Sequence, residues 1–221
     1  MVRSCYKEKF GAPRQPGLAP AATGRIQIIP PYHNPDAWRG LEEFSHIWVL
    51  FWFDKNKEKW RPTVRPPRLG GNTRIGLFSS RSGFRPNPIG LSCLRLRGID
   101  YHPGETILHV EALDLIDQTP VIDIKPYIPY SDAIEQASAG YAQTRPESVL
   151  DVDFSQQASE FCTQQTGFPE LRDLISQTLA LDPRPAYQID DHREYGIHIY
   201  DFNIRWQVKN NNARVLEIRK I

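Results

Sequence analysis

The sequence predicts a mainly β protein of the α+β class, with a β-barrel domain over residues 1–139 and a small α+β domain over residues 140–221. Two observations support this fold class. Strand-type runs dominate the first 130 residues, and no long helical pattern comes between them. From about Asp153 onward, the apolar spacing changes to that of helices. This order argues against βαβ units, and so against a Rossmann fold, and favours a barrel or strongly bent, mostly antiparallel sheet.

Six runs separated by glycine and proline predict the strands of the first domain: "GRIQII", "HIWVLFWF", "TRIGLFS", "IGLSCLRLRGI", "TILHVEAL" and "PVIDI". In "CLRLRGI", Leu94 and Leu96 alternate with Arg95 and Arg97, which is the period of a strand with one face in water. The apolar run "IWVLFWF" is far shorter than the roughly 20 residues of a membrane-spanning helix. We therefore expect it to be a buried strand.

The second domain combines helical and strand patterns. "ELRDLISQTLAL" has apolar residues at helical spacing and is followed by "DPRPAYQ", whose prolines end a helix. "SQQASEFCTQQ" predicts a shorter helix. Two strands are expected next, "YGIHIYDFNIRWQV" and "RVLEIRKI". The apolar phase of the first changes at Tyr200 and Asp201, which predicts a bulge or a change of buried face.

Charge is distributed unevenly, although the net charge is only +1. Between Lys55 and Arg97 there are eleven Lys and Arg against one acidic residue, Glu58, whereas residues 98–221 have ten basic and twenty acidic residues. Long basic side chains can simply solvate a surface. However, several of these arginines lie in a Pro-rich, non-helical stretch, where helix solubility does not explain them. We therefore favour a polyanionic partner.

Several classes of protein lack support in the sequence. It has no GxGxxG that opens a helix, no GxxxxGK[ST] and no zinc-deaminase pattern. The three cysteines are widely spaced and odd in number, and the amino terminus has no signal-peptide pattern. We therefore expect reduced thiols in a cytoplasmic protein, with no metal and no membrane segment.

Three stretches are candidates for a functional site. "YKEKFGAPRQPG" holds Arg14 and Gln15 between two prolines, although a plain surface loop would look the same. "WRPTVRPPRLGGNTRIG" and "RSGFRPNPIG" present arginines on a Pro-braced backbone, and an arginine fork binds phosphate or carboxylate at two points. "LDLIDQTPVIDIKPYIPYSD" contains an acidic turn, in which Asp123 and Lys125 are equally consistent with a simple ion pair.

The chain closely resembles the TrmO family, also called TsaA-like or YaeB-like proteins, in "GLEEFSHIWVLFWF", "RPPRLGGNTRIGLFSSRSGFRPNPIGLS", "LDLIDQTPVIDIKPYIPYSD", and the carboxyl-terminal "DPRPAYQ" with "YGIHIYDFNIRW". The resemblance covers nearly the whole chain. It implies an S-adenosylmethionine (SAM)-dependent methyltransferase that methylates N6 of N6-threonylcarbamoyladenosine beside the anticodon of tRNA. It also implies a β-barrel without a Rossmann domain, working as a homodimer with the cofactor near the subunit interface.

The resemblance also implies residue roles. The expected cofactor-binding residues are Pro13, Arg14, Gln15, Asp54, Lys55, Arg81, Leu91, Asp117, Gln118, Thr119 and Pro120. We expect Arg81 to orient the cofactor or the target base, and Asp117 or Asp114 either to accept the N6 proton or to contact the amino group of the cofactor. Arg61, Arg65, Arg68 and Arg85 are assigned to tRNA phosphates. Phe84 is expected either to stack on a base or to pack beneath the loop.

The chain departs from the family pattern at several positions. Family members usually have histidine at the position of Asp54, often glycine at Gln118 and usually proline at Cys5, and they have a further strand before "SCYKEKF". Either backbone contacts tolerate the first two changes or the pocket differs, and either the chain begins late or the barrel lacks one edge. Two alternatives therefore stay open, a tRNA-binding protein without catalysis and a methyltransferase of the same fold with another substrate.

Overall fold

The computed structural model describes residues 1–56, 60–184 and 193–221, so Pro185 to Gln188 of the "DPRPAYQ" motif lie outside the described residues. With 36% of the described residues in strands and 18% in helices, the expected mainly β, non-Rossmann class is confirmed. A six-stranded sheet, a four-stranded sheet and a two-stranded arm form the β structure.

The first sheet is antiparallel throughout, with the strand order β1-β2-β7-β6-β3-β8. Its strands are β1 (Val2–Ser4), β2 (Thr23–Ile28), β3 (His46–Trp52), β6 (Ile89–His102), β7 (Glu105–Glu111) and β8 (Val121–Pro126). The three-residue strand β1 overlaps the start of "SCYKEKF" and pairs with β2, so the sheet has an edge strand at this place.

The two edges of this sheet are connected through the turn before β8. Val2 N donates to Thr119 O at 3.0 Å, and Gln118 N donates to Val2 O at 2.8 Å. The sheet is therefore curled into a half-barrel, as the sequence predicted for a strongly bent sheet. Its concave side holds the buried phase of each strand, including Ile47 and Val49 of β3 and Leu94 of β6.

A short arm, rather than a full strand, forms the segment between β3 and β6. Strands β4 (Thr63–Val64) and β5 (Ile75–Gly76) pair with each other, and a 3-10 turn at Leu77–Ser79 follows. The expectation of a strand over all of "TRIGLFS" is therefore wrong. The chain turns there because Leu77 is buried and its backbone N–H donates to Pro62 O, 2.9 Å away.

The second sheet has the order β10-β11-β12-β9, with β9 parallel to β12. Its elements are β9 (Asp151–Phe154), α2 (Gln156–Gln164), α3 (Leu171–Ala180), β10 (Glu194–Ile199), β11 (Phe202–Lys209) and β12 (Asn212–Lys220). Both predicted helices are present. The prediction of two final strands is wrong, because Tyr200 and Asp201 form a tight turn between β10 and β11, and Tyr200 has a φ of 51°.

The two sheets share one hydrophobic core, into which residues 5 and 6 bring the amino-terminal segment. Tyr200 N donates to Cys5 O at 2.7 Å, and the buried Tyr6 hydroxyl lies 3.3 Å from Thr178 Oγ1 of α3. A short helix α1 (Pro129–Asp132) begins the connection between the sheets. Among the described residues, no helix is long and apolar enough to span a membrane.

Candidate functional site

Four loops that are far apart in the sequence meet at one end of the first sheet. At the end of β3, Trp52 N donates to Pro120 O at 3.0 Å and Phe53 N donates to Pro88 O at 2.8 Å. The fourth loop joins them because Arg81 Nη1 donates to Gln15 Oε1 at 2.6 Å. The structure therefore brings together residues 13–15, 53–55, 81–91 and 117–120.

The contact between Arg81 and Gln15 fixes the loop of residues 13–15. Gln15 Nε2 donates back to Arg14 O at 2.6 Å, and Pro13 beside it is buried. Burial lowers the pKa of the Arg14 guanidinium, and the nearby carboxylate of Asp182 opposes that change. Since Arg81 remains exposed, it both braces this loop and presents its remaining N–H groups to solvent.

Asp114 follows β7 and reaches the concave side of the sheet. Ser92 Oγ of β6 donates to Asp114 Oδ1 at 2.7 Å. Burial raises the pKa of this carboxyl to about 6, opposed by the hydrogen bond from Ser92 and the positive charge of Arg81. A carboxylate with this pKa is mostly ionised at neutral pH and is a better proton acceptor than an ordinary aspartate.

Asp117 is held much more tightly than Asp114. Its Oδ1 accepts from Ser4 N at 2.8 Å and its Oδ2 accepts from Lys7 Nζ at 3.1 Å, so both carboxylate oxygens have partners. The neighbouring Gln118 has a φ of 64°, in the left-handed region that favours glycine, and this is where the family pattern often has glycine. These contacts tie the 117–120 turn to the amino-terminal segment.

The end of β3 is closely packed against the Pro-rich loop. A Cβ at Gly83 would lie 2.8 Å from Phe53 Cγ, so this loop position has no room for a side chain. Asp54 and Lys55 form an adjacent ion pair at 3.5 Å. Leu91 of β6 is 50% exposed on the convex face, away from Ser92 and Asp114. The expected cofactor-binding residues therefore lie on both faces of the sheet end.

The arginines assigned to tRNA have different surroundings. Arg85 donates to Ser80 O at 2.8 Å, and its guanidinium lies 5.1 Å from the centroid of the Phe78 ring. Arg68 donates to the backbone oxygen and to Oγ1 of Thr144. Arg61 and Arg65 are exposed on the arm. Arg85 therefore braces its loop, and Arg68 joins the arm to the segment before the second sheet.

Two polar partners were not singled out from the sequence. Ser92 is one of the buried residues of β6, and the others are apolar or glycine. A polar residue in this buried row was the signal that could have identified it. Lys7 carried no comparable signal, because it is separated by 110 residues in the sequence from Asp117, which it contacts.

Phe84 is half-buried, with Lys9 Nζ 5.4 Å from its ring centroid. Asp123 and Lys125 form the ion pair considered above, at 3.3 Å.

Metal ligation is not evident in the described parts of the chain. Residues 1–56, 60–184 and 193–221 contain no group of three or more His, Cys, Asp or Glu side chains placed to hold a metal ion. The polar side chains at the sheet end include Arg81 with Gln15, the Asp54–Lys55 ion pair and the carboxyls of Asp114 and Asp117. Such groups suit an organic ligand with a carboxylate and polar nitrogen atoms.

Comparisons with known proteins match both domains. The family model of the tRNA-methyltransferase O N-terminal domain matches residues 1–133, and that of the TrmO C-terminal domain matches residues 147–221. The chain is 47% identical over 222 residues to the tRNA (adenine(37)-N6)-methyltransferase of Escherichia coli strain K12, covering 99% of this chain and 94% of that protein.

Two further matches extend over nearly the whole chain. A putative S-adenosylmethionine-dependent methyltransferase, RcsF, of Pseudomonas aeruginosa strain PAO1 is 44% identical over 98% of this chain and 94% of its own length. A crystal structure of TrmO from Pseudomonas aeruginosa superposes with a TM-score of 0.83 at 36% identity, covering 99% of this chain and 94% of the other. Matched in both domains, the chain belongs to the tRNA-methyltransferase O (TrmO) family.

Proposed function

We propose that this chain is a SAM-dependent methyltransferase that methylates N6 of N6-threonylcarbamoyladenosine beside the anticodon of tRNA. The observation that carries the proposal is the four-loop site, in which Arg81 holds Gln15 and a raised-pKa carboxyl, Asp114, lies within reach of the charge of Arg81. The names of the related proteins, a tRNA adenine methyltransferase and a putative SAM-dependent methyltransferase, agree with it.

The side chains at this site fit SAM. Arg81 and Lys55 would supply positive charge for the carboxylate of bound SAM, and the exposed Trp52 and Leu91 would supply apolar surface for its carbon atoms. When bound, SAM supplies a methyl group activated by a sulfonium. The work of the protein is therefore to position the acceptor nitrogen, exclude water and receive a proton.

Asp114 is our choice for the group that receives the N6 proton. Its pKa of about 6 keeps it ionised at neutral pH, and Ser92 holds one of its oxygens in place. Asp117 is the weaker choice because Ser4 and Lys7 already occupy both of its oxygens. Contact with the amino group of the cofactor remains the alternative role for Asp114. A positioned base of this kind contributes about 10²–10⁴-fold to the rate.

The basic arm and its neighbouring loop provide the surface for tRNA. From residue 60 to residue 99 the sequence has no Asp or Glu, and Arg61, Arg65, Arg68 and Arg85 all lie within that range. Arginine side chains on a surface bind phosphates and release counterions. The contact of Arg68 with Thr144 gives it a bracing role as well, and Arg85 likewise braces Ser80.

We also infer a homodimer built on the convex face of the first sheet. Trp52 and Ile89 are partners in the β3–β6 register and are 40% and 42% exposed, and Leu91 beside them is 50% exposed. An outward row of large apolar residues on a sheet is typical of a surface that another chain covers. Since Leu91 also belongs to the expected cofactor-binding set, this interface would place the cofactor near the subunit boundary.

Substitution of Arg81 tests the proposed site. Arg81→Ala removes both the positive charge and the contact that fixes Gln15, so we expect methyl transfer to fall below detection while the melting temperature is unchanged. Arg39→Ala is the matched control, because Arg39 is an exposed arginine paired with Asp36 elsewhere in the fold. An unchanged rate for Arg81→Ala would remove Arg81 from the site.

Calorimetry separates an enzyme from a tRNA-binding protein of the same fold. We expect the purified chain to bind SAM with measurable heat, and Arg81→Ala to weaken that binding. Absence of heat with a folded protein that still binds tRNA would favour the non-catalytic alternative.

A further inference from the structure

Phe78 is a large apolar side chain that the protein holds in water. It is 71% exposed and lies in the 3-10 turn between the arm and the Pro-rich loop. Its neighbour Leu77 is buried and anchors the turn, since Leu77 N donates to Pro62 O and Leu77 O accepts from Ser80 Oγ at 2.8 Å. With Leu77 anchored in this way, the turn directs Phe78 outward. Phe78 is therefore exposed because it lies in a turn whose backbone is fixed by hydrogen bonds and by the buried Leu77.

One face of the Phe78 ring is already covered. The Arg85 guanidinium lies 5.1 Å from the ring centroid, and Arg85 Nη1 is fixed by its hydrogen bond to Ser80 O. A guanidinium placed over an aromatic face is favourable and limits the rotation of the ring. The exposed remainder of the ring is therefore a flat apolar surface held in a defined orientation, with a cation behind it.

The surroundings of Phe78 select the kind of partner. The sequence from residue 60 to residue 99 contains arginines and no acidic residue, so a partner of this surface is expected to be negatively charged. Flat, unpaired nucleobases stack on exposed aromatic rings, and their phosphates bind neighbouring arginines. A single-stranded nucleic acid combines both properties.

We propose that Phe78 is a stacking platform for an unpaired base of the tRNA anticodon loop, with Arg85 as its back support. This inference rests on the proposed function, because it concerns how the same tRNA is held. Phe78 precedes Arg81 by three residues, a chain distance of at most about 10 Å. The stacked base is therefore a near neighbour of the one presented to Arg81 and Asp114, and stacking fixes the position of the target adenine.

The test compares three substitutions at Phe78 in binding of the purified tRNA. Loss of base stacking is worth roughly 5- to 150-fold in affinity. We expect Phe78→Ala and Phe78→Leu to weaken tRNA binding within this range, and Phe78→Trp to keep it. Because phenylalanine carries no charge, the dependence of binding on salt concentration should keep its slope. Affinity for SAM should not change.

Tyr32→Ala is the matched control. Tyr32 is also 71% exposed, but it follows β2, outside the basic segment, so its loss should leave tRNA binding unchanged. Wild-type affinity in Phe78→Leu would overturn stacking, because leucine keeps the apolar volume without the flat ring. A changed molecular mass of Phe78→Ala in light scattering would also overturn the proposal, since Phe78 would then contact another subunit.

Methyl transfer is measured on the same preparations, which separates this proposal from the proposed function. If the wild type transfers no methyl group, the proposed function fails, and the tRNA affinities still decide the role of Phe78. If the wild type is active, Phe78→Ala should raise KM for tRNA more than it lowers kcat at saturating tRNA. An equal affinity of Phe78→Ala and the wild type would overturn the proposal in either case.

Discussion

The Asp114 carboxyl lies between opposing influences. Burial raises its pKa to about 6, while the Ser92 hydroxyl and the Arg81 charge favour its ionised form. The result is a group that is ionised at neutral pH but has a higher proton affinity than an exposed aspartate. A carboxyl kept in this state costs stability, which is common for groups that act in catalysis.

Asp114→Asn should lower the rate of methyl transfer by about 10²–10⁴-fold, because the amide cannot accept the N6 proton. In the wild type, the rate should rise with pH up to a pKa near 6, when the carboxyl becomes ionised. Rates measured from pH 5 to pH 8 check both statements. Retention of the acidic limb of the profile in Asp114→Asn would show that another group is titrating.

The same variant should be more stable than the wild type at neutral pH. The folded pKa of about 6 exceeds the ordinary value of 3.8, so between these values the folded state binds more protons than the unfolded state. The free energy of unfolding therefore falls as the pH rises through this window. An amide at this position does not titrate, so the variant does not lose stability in this way. Thermal melts should show a higher Tm for Asp114→Asn above pH 6 and a difference that shrinks toward pH 4.

At the scale of elements, the two-stranded arm and the Pro-rich loop have separate tasks. The arm carries Arg65 outward on a backbone fixed by the β4–β5 pair and by Arg74 Nη1, which donates to Thr63 Oγ1 at 3.0 Å. The loop instead turns Arg81 toward Gln15. The charge of Arg65 on the arm is therefore expected to govern tRNA affinity, and the charge of Arg81 on the loop to govern the cofactor site.

Arg65→Ala should weaken tRNA binding and reduce the slope of log K against log salt by about 0.7 to 0.9, the value of one phosphate contact. SAM affinity should stay the same, because Arg65 lies on the arm. Binding titrations at several salt concentrations measure the slope, with Arg39→Ala as the control. Weaker SAM binding in Arg65→Ala would mean that the arginines have been assigned to the wrong ligands.

The buried face of a strand was largely predictable from the sequence, whereas the contacts between elements were not. The alternation of Leu94 and Leu96 with arginines gave the buried face of β6 correctly. The turn at Tyr200 was missed because its positive φ is carried by tyrosine rather than by glycine or asparagine, the usual signals. Strand β9 was missed because it is four residues long and pairs in parallel with β12, about 60 residues later.

For the candidate site, too, the individual parts were predictable from the sequence and the contacts between them were not. The loops and the arginines were visible in the sequence, because proline and arginine are unusual together in a strand-rich segment. Their convergence depends on the curl of the sheet, which brings Arg81 to Gln15 across 66 residues and Asp114 to Ser92 across 22. Such contacts follow from strand order and register, and local sequence patterns carry no information on either.

At the scale of the whole molecule, the two sheets are joined through one hydrophobic core. The second sheet packs on the amino-terminal segment through Cys5 and Tyr6, and the residues on either side of them, Ser4 and Lys7, hold Asp117. The convex face of the first sheet remains open in the single chain. We therefore expect the proposed dimer to form through this face.

Ile89→Glu should convert the dimer to a monomer, because it places a charge at the centre of the apolar face of β3 and β6. Light scattering coupled to size exclusion measures the mass directly. Ile134→Glu is the control, since Ile134 is 73% exposed in the segment after α1 and is not part of this face. A dimeric Ile89→Glu variant would place the interface elsewhere.

The most direct measurement is nucleoside mass spectrometry of tRNA incubated with the purified chain and SAM. The tRNA is taken from a strain deleted for this gene, so that its N6-threonylcarbamoyladenosine starts unmethylated. We expect that nucleoside to gain one methyl group with the wild type and to stay unchanged with Arg81→Ala. Unmethylated N6-threonylcarbamoyladenosine after incubation with the wild type, or a methyl group on a different nucleoside, would contradict the account.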